Sequence, residues 1–249
     1  MSNTNWLTQD QEPLFKDLIW SRPENKAHAK KMLLIGGSSH GFSRTYKYFI
    51  GCEEAGAGEV KLVLPSSLLK LIKHPRVVFG DSNKDGSFSK ESYSQILGYY
   101  GWADSVWLTG EFGNNSTTTI LLEQLINSTK RKIISGDASS HIGDLSVMTN
   151  DLLLILSFRE YQKLASKLYG VAPTNRMDLS QIVDTLNSLT TESEVSIVLG
   201  FNDYCLVGSN SKVVTQKKIL DEKTASNIAV MWTQFPGKSL QAMACGLVV

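Results

Sequence analysis

Cysteine is scarce in this 249-residue chain: Cys52, Cys205 and Cys245 stand far apart, in no CxxC pair and no Cys/His cluster. That argues against a zinc site and against a disulfide framework, and makes a reducing, cytoplasmic compartment the expected setting. Long apolar runs are missing too, since the longest, Leu152–Leu156, is far too short to cross a bilayer. The segment Met1 to Asp10 is polar and lacks the basic start and apolar stretch of a signal peptide. Neither sign of charge is in excess, with 25 basic and 24 acidic side chains giving a net charge of +1. The expected partners therefore include neither nucleic acid nor membrane. Only six prolines against 19 glycines suit a fold with many tight strand-to-helix turns. His28, His74 and His141 are isolated, without a partner at metal spacing, His40 differs only in sitting in a glycine-rich loop, and no metal site is expected.

What is present is a normal core-forming share of apolar residues, 42 %, and 19 glycines. Short apolar runs bounded by turn residues predict strands at Met32–Ile35, Val60–Leu64, Arg76–Phe79, Ser105–Leu108, Lys132–Ser135 and Leu152–Leu156. Val195–Leu199 and Tyr204–Val207 read as consecutive strands. Between them, helical spacing appears at Phe42, Tyr46, Phe49 and Ile50, at Ile120, Leu121 and Leu125, at Tyr161, Leu164 and Leu168, and at Leu179, Ile182, Val183 and Leu186. Two further helices are predicted around Ala225–Trp232 and Leu240–Leu247. Strands alternating with helices imply a mainly parallel α/β sheet covered on both faces. The expected organisation is one domain over 1–249, with 1–26 an N-terminal extension packed on it. The polar stretch Gly80–Ser89 reads as a surface loop, and Lys130-Arg131-Lys132 as a solvated helix end.

Ligands of open α/β sheets bind beyond the carboxyl ends of the strands, so four loops are candidates. The first holds Gly36, Gly37, Ser38 and His40, and the second, 109–115, holds Gly110 and Gly113. The third carries Asp137, and the fourth runs from Ser157 to Glu160. Glycine lets a backbone approach a ligand, and a following helix offers free N–H groups for phosphate. The same glycines also serve to turn the chain, and each carboxylate has a structural reading: Asp137 as a loop clamp, Glu160 as the stabiliser of its helix start.

Taken in order, these loops resemble the NAD(P)H-hydrate dehydratase family, the YjeF C-terminal domain, of ribokinase-like fold. The Met32–Ser38 segment, Glu54-Ala-Gly-Ala-Gly58 and Val60–Pro65 resemble the family's "IGGS…aGaG…tlavP" block. Trp102–Gly113 resembles "adalviGPGLG", Asp137-Ala-Ser139 stands at "DAD", Ser157–Leu164 at "HPGEfarL", and Val195–Val207 at the "vvvLKG…tvia" hairpin. The resemblance implies a three-layer fold and a lyase that repairs hydrated NADH or NADPH, phosphorylating the added hydroxyl with ADP or ATP before elimination. It implies ADP or ATP and an NAD(P)H-type ligand, with Mg2+ as a candidate companion, and a homo-oligomer as a candidate assembly. Substrate contacts would fall to Gly36, Gly37, Ser38, His40, Gly110, Gly113, Asp137, Ser157 and Glu160, and nucleotide contacts to Gly200 and Thr224.

The chain departs from the family pattern where the chemistry is concentrated. Asp221-Glu-Lys-Thr224 stands in place of the GTGD turn, whose Asp is the family's base, so Thr224 takes the catalytic position. The family's lysine before the hairpin glycine is Leu199, its substrate-side histidine is Ser157, and the second Asp of DAD is Ser139. The expectation is a divergent relative with a degenerate nucleotide side. The alternative is a non-catalytic nucleotide- or dinucleotide-binding or structural protein of the same fold.

Overall fold

A computed structural model describes residues 5–113, 115–128, 130–170 and 172–249; Asn114, in the second candidate loop, lies outside them. The strands are β1 (Trp6–Gln9), β2 (Lys31–Gly36), β3 (Glu59–Pro65), β4 (Val77–Gly80), β5 (Ser105–Gly110), β6 (Lys132–Ser135), β7 (Leu152–Ser157), β8 (Ser196–Phe201), β9 (Tyr204–Ser209) and β10 (Lys212–Gln216). They form one sheet in the order β1-β10-β9-β8-β7-β6-β5-β2-β3-β4. Every neighbouring pair is parallel except β8–β9 and β9–β10, a meander that turns at Asn202 and at Asn210-Ser211, all with positive φ.

The helices are α1 (Lys16–Trp20), α2 (Ser43–Glu54), α3 (Ser92–Tyr100), α4 (Ser116–Ile126), α5 (Phe158–Tyr169), α6 (Leu179–Glu192), α7 (Glu222–Gln234) and α8 (Ser239–Gly246). Because strand side chains alternate in direction, each central strand feeds two cores. Leu33, Leu108, Leu154 and Leu199 join the layer of α3 to α6, whereas Leu34, Trp107, Leu153 and Val198 join that of α2, α7 and α8. Helix α7 is buried along its length from Thr224 to Gln234. Small residues make that possible. A Cβ at Gly51 of α2 would come within 2.5 Å of Ser226 Oγ, and one at Gly246 of α8 within 2.5 Å of Ile228 Cα.

Three expectations change here. The N-terminal segment adds a strand: β1 pairs in parallel with β10, and Trp6 Nε1 donates to Thr215 Oγ1 at 3.0 Å. The 80–89 stretch is a surface loop only over 81–85. Gly86 to Ser89 are buried, and Phe88 packs on Phe112 at 6.0 Å between ring centroids, while backbone groups of the loop are paired internally, as by the Ser87 N–H on Asn83 Oδ1 and Ser92 Oγ on the Asp81 carbonyl. The 130–132 stretch is not a solvated end. Lys132 is buried, with its ammonium on the Ile126 and Ser128 carbonyls at the α4 C-terminus, where the helix dipole favours a cation. Arg131 lies over the Trp232 ring at 3.5 Å.

Candidate functional site

At the carboxyl ends of β6, β7 and β8 lie two adjoining clefts that share Gly136, Ser157 and Glu160. The first, of about 320 Å³, is bounded by Arg44 and Tyr48 of α2, by Gly200 and by the Ile219–Glu222 turn into α7. The second, of about 550 Å³, is bounded by Asp137, Ser139 and Ser140 and by Arg159, Lys163 and Lys167 of α5. Of the residues singled out from the sequence, Ser157, Glu160 and Gly200 therefore meet in the first cleft, and Asp137, Ser157 and Glu160 in the second.

At each helix start around these clefts one helix N–H is taken by a side chain of the protein. At α7 the Asp221 carboxylate accepts the Thr224 backbone N–H at 2.8 Å. Burial opposes charge at Asp221, but the Thr224 hydrogen bonds and nearby Lys218 outweigh it and hold the carboxyl below its usual range. At α5, Ser157 Oγ accepts the Glu160 N–H at 3.4 Å while Glu160 accepts the Ser157 N–H at 2.7 Å, a reciprocal capping box. At α2, Glu111 accepts the Thr45 N–H at 2.9 Å. Glu111 has φ +60, a left-handed conformation that costs about 1–2 kcal/mol outside glycine and that here accompanies a carboxylate set on the helix start.

The two glycine-rich loops pack against each other and line neither cleft. In the first, the Gly37 N–H goes to the Gly110 carbonyl at 3.0 Å, Ser38 to Gly41 at 2.7 Å, Ser39 to Gly86 at 3.0 Å and Gly41 to Ser38 at 3.2 Å. Those donors are spent within the protein. Gly36 must be glycine, because a Cβ there would stand 2.1 Å from Thr109 Oγ1. Gly113, with φ +80, sits against Ser87 of the folded-in 80–89 loop, and His40 is exposed on the outer turn.

Asp137 joins the second loop to the third. Its Oδ2 accepts the Phe112 N–H at 3.1 Å, while its Oδ1 is buried without a partner among the described residues. Burial pushes its carboxyl above the usual value, against the opposing pull of the Phe112, Glu111 and Gly113 N–H groups and of His141. Thr224 is 2 % exposed and sits behind the Asp221 cap. Leu199 is fully buried and faces the α5–α6 layer, on the opposite side of the sheet from α7. The side chain over Gly200 is Leu220, whose Cβ stands 3.2 Å from where a Gly200 Cβ would be.

Several cleft residues were not singled out from the sequence. Arg44 and Tyr48 are one helical turn apart on α2, and Arg159, Lys163 and Lys167 recur every fourth residue on α5. The second pattern is a readable signal, a basic stripe following a strand-end serine. Lys167 is tied to the Ile142 carbonyl at 2.7 Å; Arg159 and Lys163 form no ion pair among the described residues.

Comparison of the whole chain with solved structures decides the fold. A ribokinase-like superfamily protein from Enterococcus faecalis superposes with a TM-score of 0.73 at 14 % identity, over 100 % of this chain and 87 % of that one. The fold is ribokinase-like. Other matches include an ADP/ATP-dependent NAD(P)H-hydrate dehydratase from Bacillus subtilis, co-crystallised with ATP and Mg2+ and soaked with CoA (TM-score 0.63, 12 % identity, 95 % of this chain and 86 % of that one). A pyridoxal kinase from Staphylococcus aureus, in complex with pyridoxal, matches at 0.53 and 12 % over 87 % and 84 %. No protein-family model matches the chain, and no curated protein matches it.

The start of α7, where the sequence resemblance would place a nucleotide phosphate, is lined with acidic side chains. Of the N–H groups at that helix start, Thr224's is held by Asp221; Glu222 follows, and Leu220 covers Gly200. An incoming anion would have to displace one carboxylate and lie beside another.

Proposed function

We propose that this chain is a divergent relative of the ADP/ATP-dependent NAD(P)H-hydrate dehydratases in which phosphoryl transfer has been lost. One observation carries the reading: the Asp221 carboxylate sits on the Thr224 N–H at 2.8 Å, at the helix start that the sequence resemblance assigns to the reactive phosphoryl group. Phosphoryl transfer needs donors aimed at the moving charge and a base for the attacking hydroxyl. Here one of those donors, the Thr224 N–H, is occupied by Asp221, and the position the resemblance gives to the base holds a buried threonine. Loss of one preorganised donor costs about 10²–10³ in rate, and loss of a general base about 10²–10⁴ more.

A second reading, binding without turnover, has its own support in the second cleft. Arg159 and Lys163 offer cationic groups to an anionic nucleotide or dinucleotide beside Ser139 and Ser140. The test is incubation with hydrated NADH, Mg2+ and ADP or ATP, following recovery of the reduced-nicotinamide absorbance. Recovery no faster than without protein is expected; recovery that scales with protein concentration would overturn the proposal. Thermal denaturation with NADPH separates the second reading, because a ligand that binds the folded state raises the melting temperature.

A further inference from the structure

The first cleft is negative. Glu160, Asp221 and Glu222 line it against a single lining cation, Arg44. Lys47 approaches Glu222 from outside at 3.8 Å on a mostly exposed side chain, and Lys218, near Asp221, is engaged by the Leu247 carbonyl. Two of the three carboxylates are fixed in place by backbone N–H groups, Glu160 by Ser157 and Asp221 by Thr224.

The floor of the cleft supplies an independent observation. Tyr48 is only 7 % exposed, and its ring lies on Trp107 at 4.5 Å between centroids. Its hydroxyl makes no hydrogen bond with the described residues and is not among the buried unpartnered atoms, so it opens into the cleft, with Arg44, Glu222, Glu160 and Glu111 as charged neighbours. The walls are apolar where they are not acidic, through Ile155, Leu220 and Ala225, with Ile219 at 69 % exposure near the mouth. A volume of about 320 Å³ lies at the lower end of the roughly 300–1,000 Å³ usual for small-molecule sites. Among the described residues, no group of three or more His, Cys, Asp or Glu side chains is placed to hold a metal ion.

We propose that this cleft takes a small organic cation, an amine on an apolar or aromatic body, with its ammonium directed to Glu160, Glu222 and the Tyr48 hydroxyl oxygen. The body would lie against Leu220 and Ile155, and the Tyr48 oxygen, open to the cleft, would accept an ammonium N–H. This rests on the reading that the start of α7 no longer receives a phosphate.

The experiment is a calorimetric titration of the whole chain with tyramine and with 4-hydroxyphenylacetate, two probes that share a ring and differ in the sign of their charge. Saturable tyramine binding is expected, with no saturable binding of the acid. Glu222→Gln should weaken tyramine about three- to tenfold, and Arg44→Ala, on an exposed side chain, should strengthen it by a similar factor. Equal affinity for the two probes, no saturable tyramine binding, or unchanged affinity in both variants would overturn the proposal. ATP with Mg2+ titrated in parallel keeps the two readings apart. Saturable ATP binding in this cleft, abolished by Leu220→Glu, which sets a further carboxylate over Gly200, contradicts the loss of the phosphate site, whereas failure of tyramine alone contradicts only the organic-cation assignment.

Discussion

Replacing Asp221 by alanine removes the acceptor that closes the start of α7, and the structure sets the size of the effect. The lost hydrogen bond is short, at 2.8 Å, and belongs to Thr224, which is 2 % exposed, at the head of a helix buried along almost all its length. Loss of an N-cap costs about 0.5–2 kcal/mol, and loss of a negative charge at a helix start about 0.3–1 kcal/mol more. With so buried a helix the sum is about 2 kcal/mol, which for a chain of this size lowers the melting temperature by about 4–8 °C. Asp221→Asn keeps an acceptor and loses only the charge, so its fall should be at most about 4 °C. The folded carboxyl lies below its ordinary value. Its charge therefore stabilises the fold above the unfolded value near ~3.9, and that contribution fades as the pH drops through the lower folded value. Thermal unfolding of the three proteins between neutral pH and pH ~3 measures both effects. An alanine variant that melts within about 1 °C of the unchanged protein would refute the cap, since no cap of the usual strength is that small.

Three further outcomes follow from the packing and charge. Gly246→Ala places a methyl 2.5 Å from Ile228 Cα and should cost at least about 1–3 kcal/mol in urea denaturation. Asp137→Asn should stabilise the protein at neutral pH, because burial raises the Asp137 carboxyl above its unfolded value. The native aspartate is then fully tolerated only below the unfolded value near ~3.9, and the advantage of asparagine should appear as pH rises through the folded value. Arg159→Ala with Lys163→Ala should weaken any NADPH-induced rise in melting temperature, and the unchanged protein's rise should shrink with added salt.

The fold was legible wherever burial ran along both faces of a strand. Met32–Ile35 and Leu152–Leu156 are unbroken apolar runs because their neighbours in the parallel sheet and two helical layers cover them completely. The capping box at Ser157-Phe-Arg-Glu160 was legible as a helix start for the same local reason. β1 was not, since Trp6-Leu7-Thr8-Gln9 alternates weakly and its partner β10 lies about two hundred residues along the chain, as the Trp6–Thr215 separation of 209 shows. α3 was missed because Ser92–Tyr100 mixes serine and aromatic residues around one fully buried isoleucine, Ile96.

Polar composition misled over part of 80–89, where serine and asparagine satisfy backbone groups inside the fold rather than water. In the site, the order of the strand-end loops was readable, but their division was not. Whether a glycine-rich loop gives its N–H groups to a ligand or to its own carbonyls depends on contacts such as Gly37 with Gly110, which no local pattern encodes. Tyr48 and Arg44 reach the cleft only because α2 lies beside α7.

The central claim is that the chain's own carboxylate occupies the place of a phosphate at the start of α7. Calorimetric titration of the unchanged protein with ATP and Mg2+ tests it most directly. No saturable heat is predicted for the first cleft. Saturable binding that disappears when Leu220→Glu sets a further negative charge over Gly200 would contradict the account.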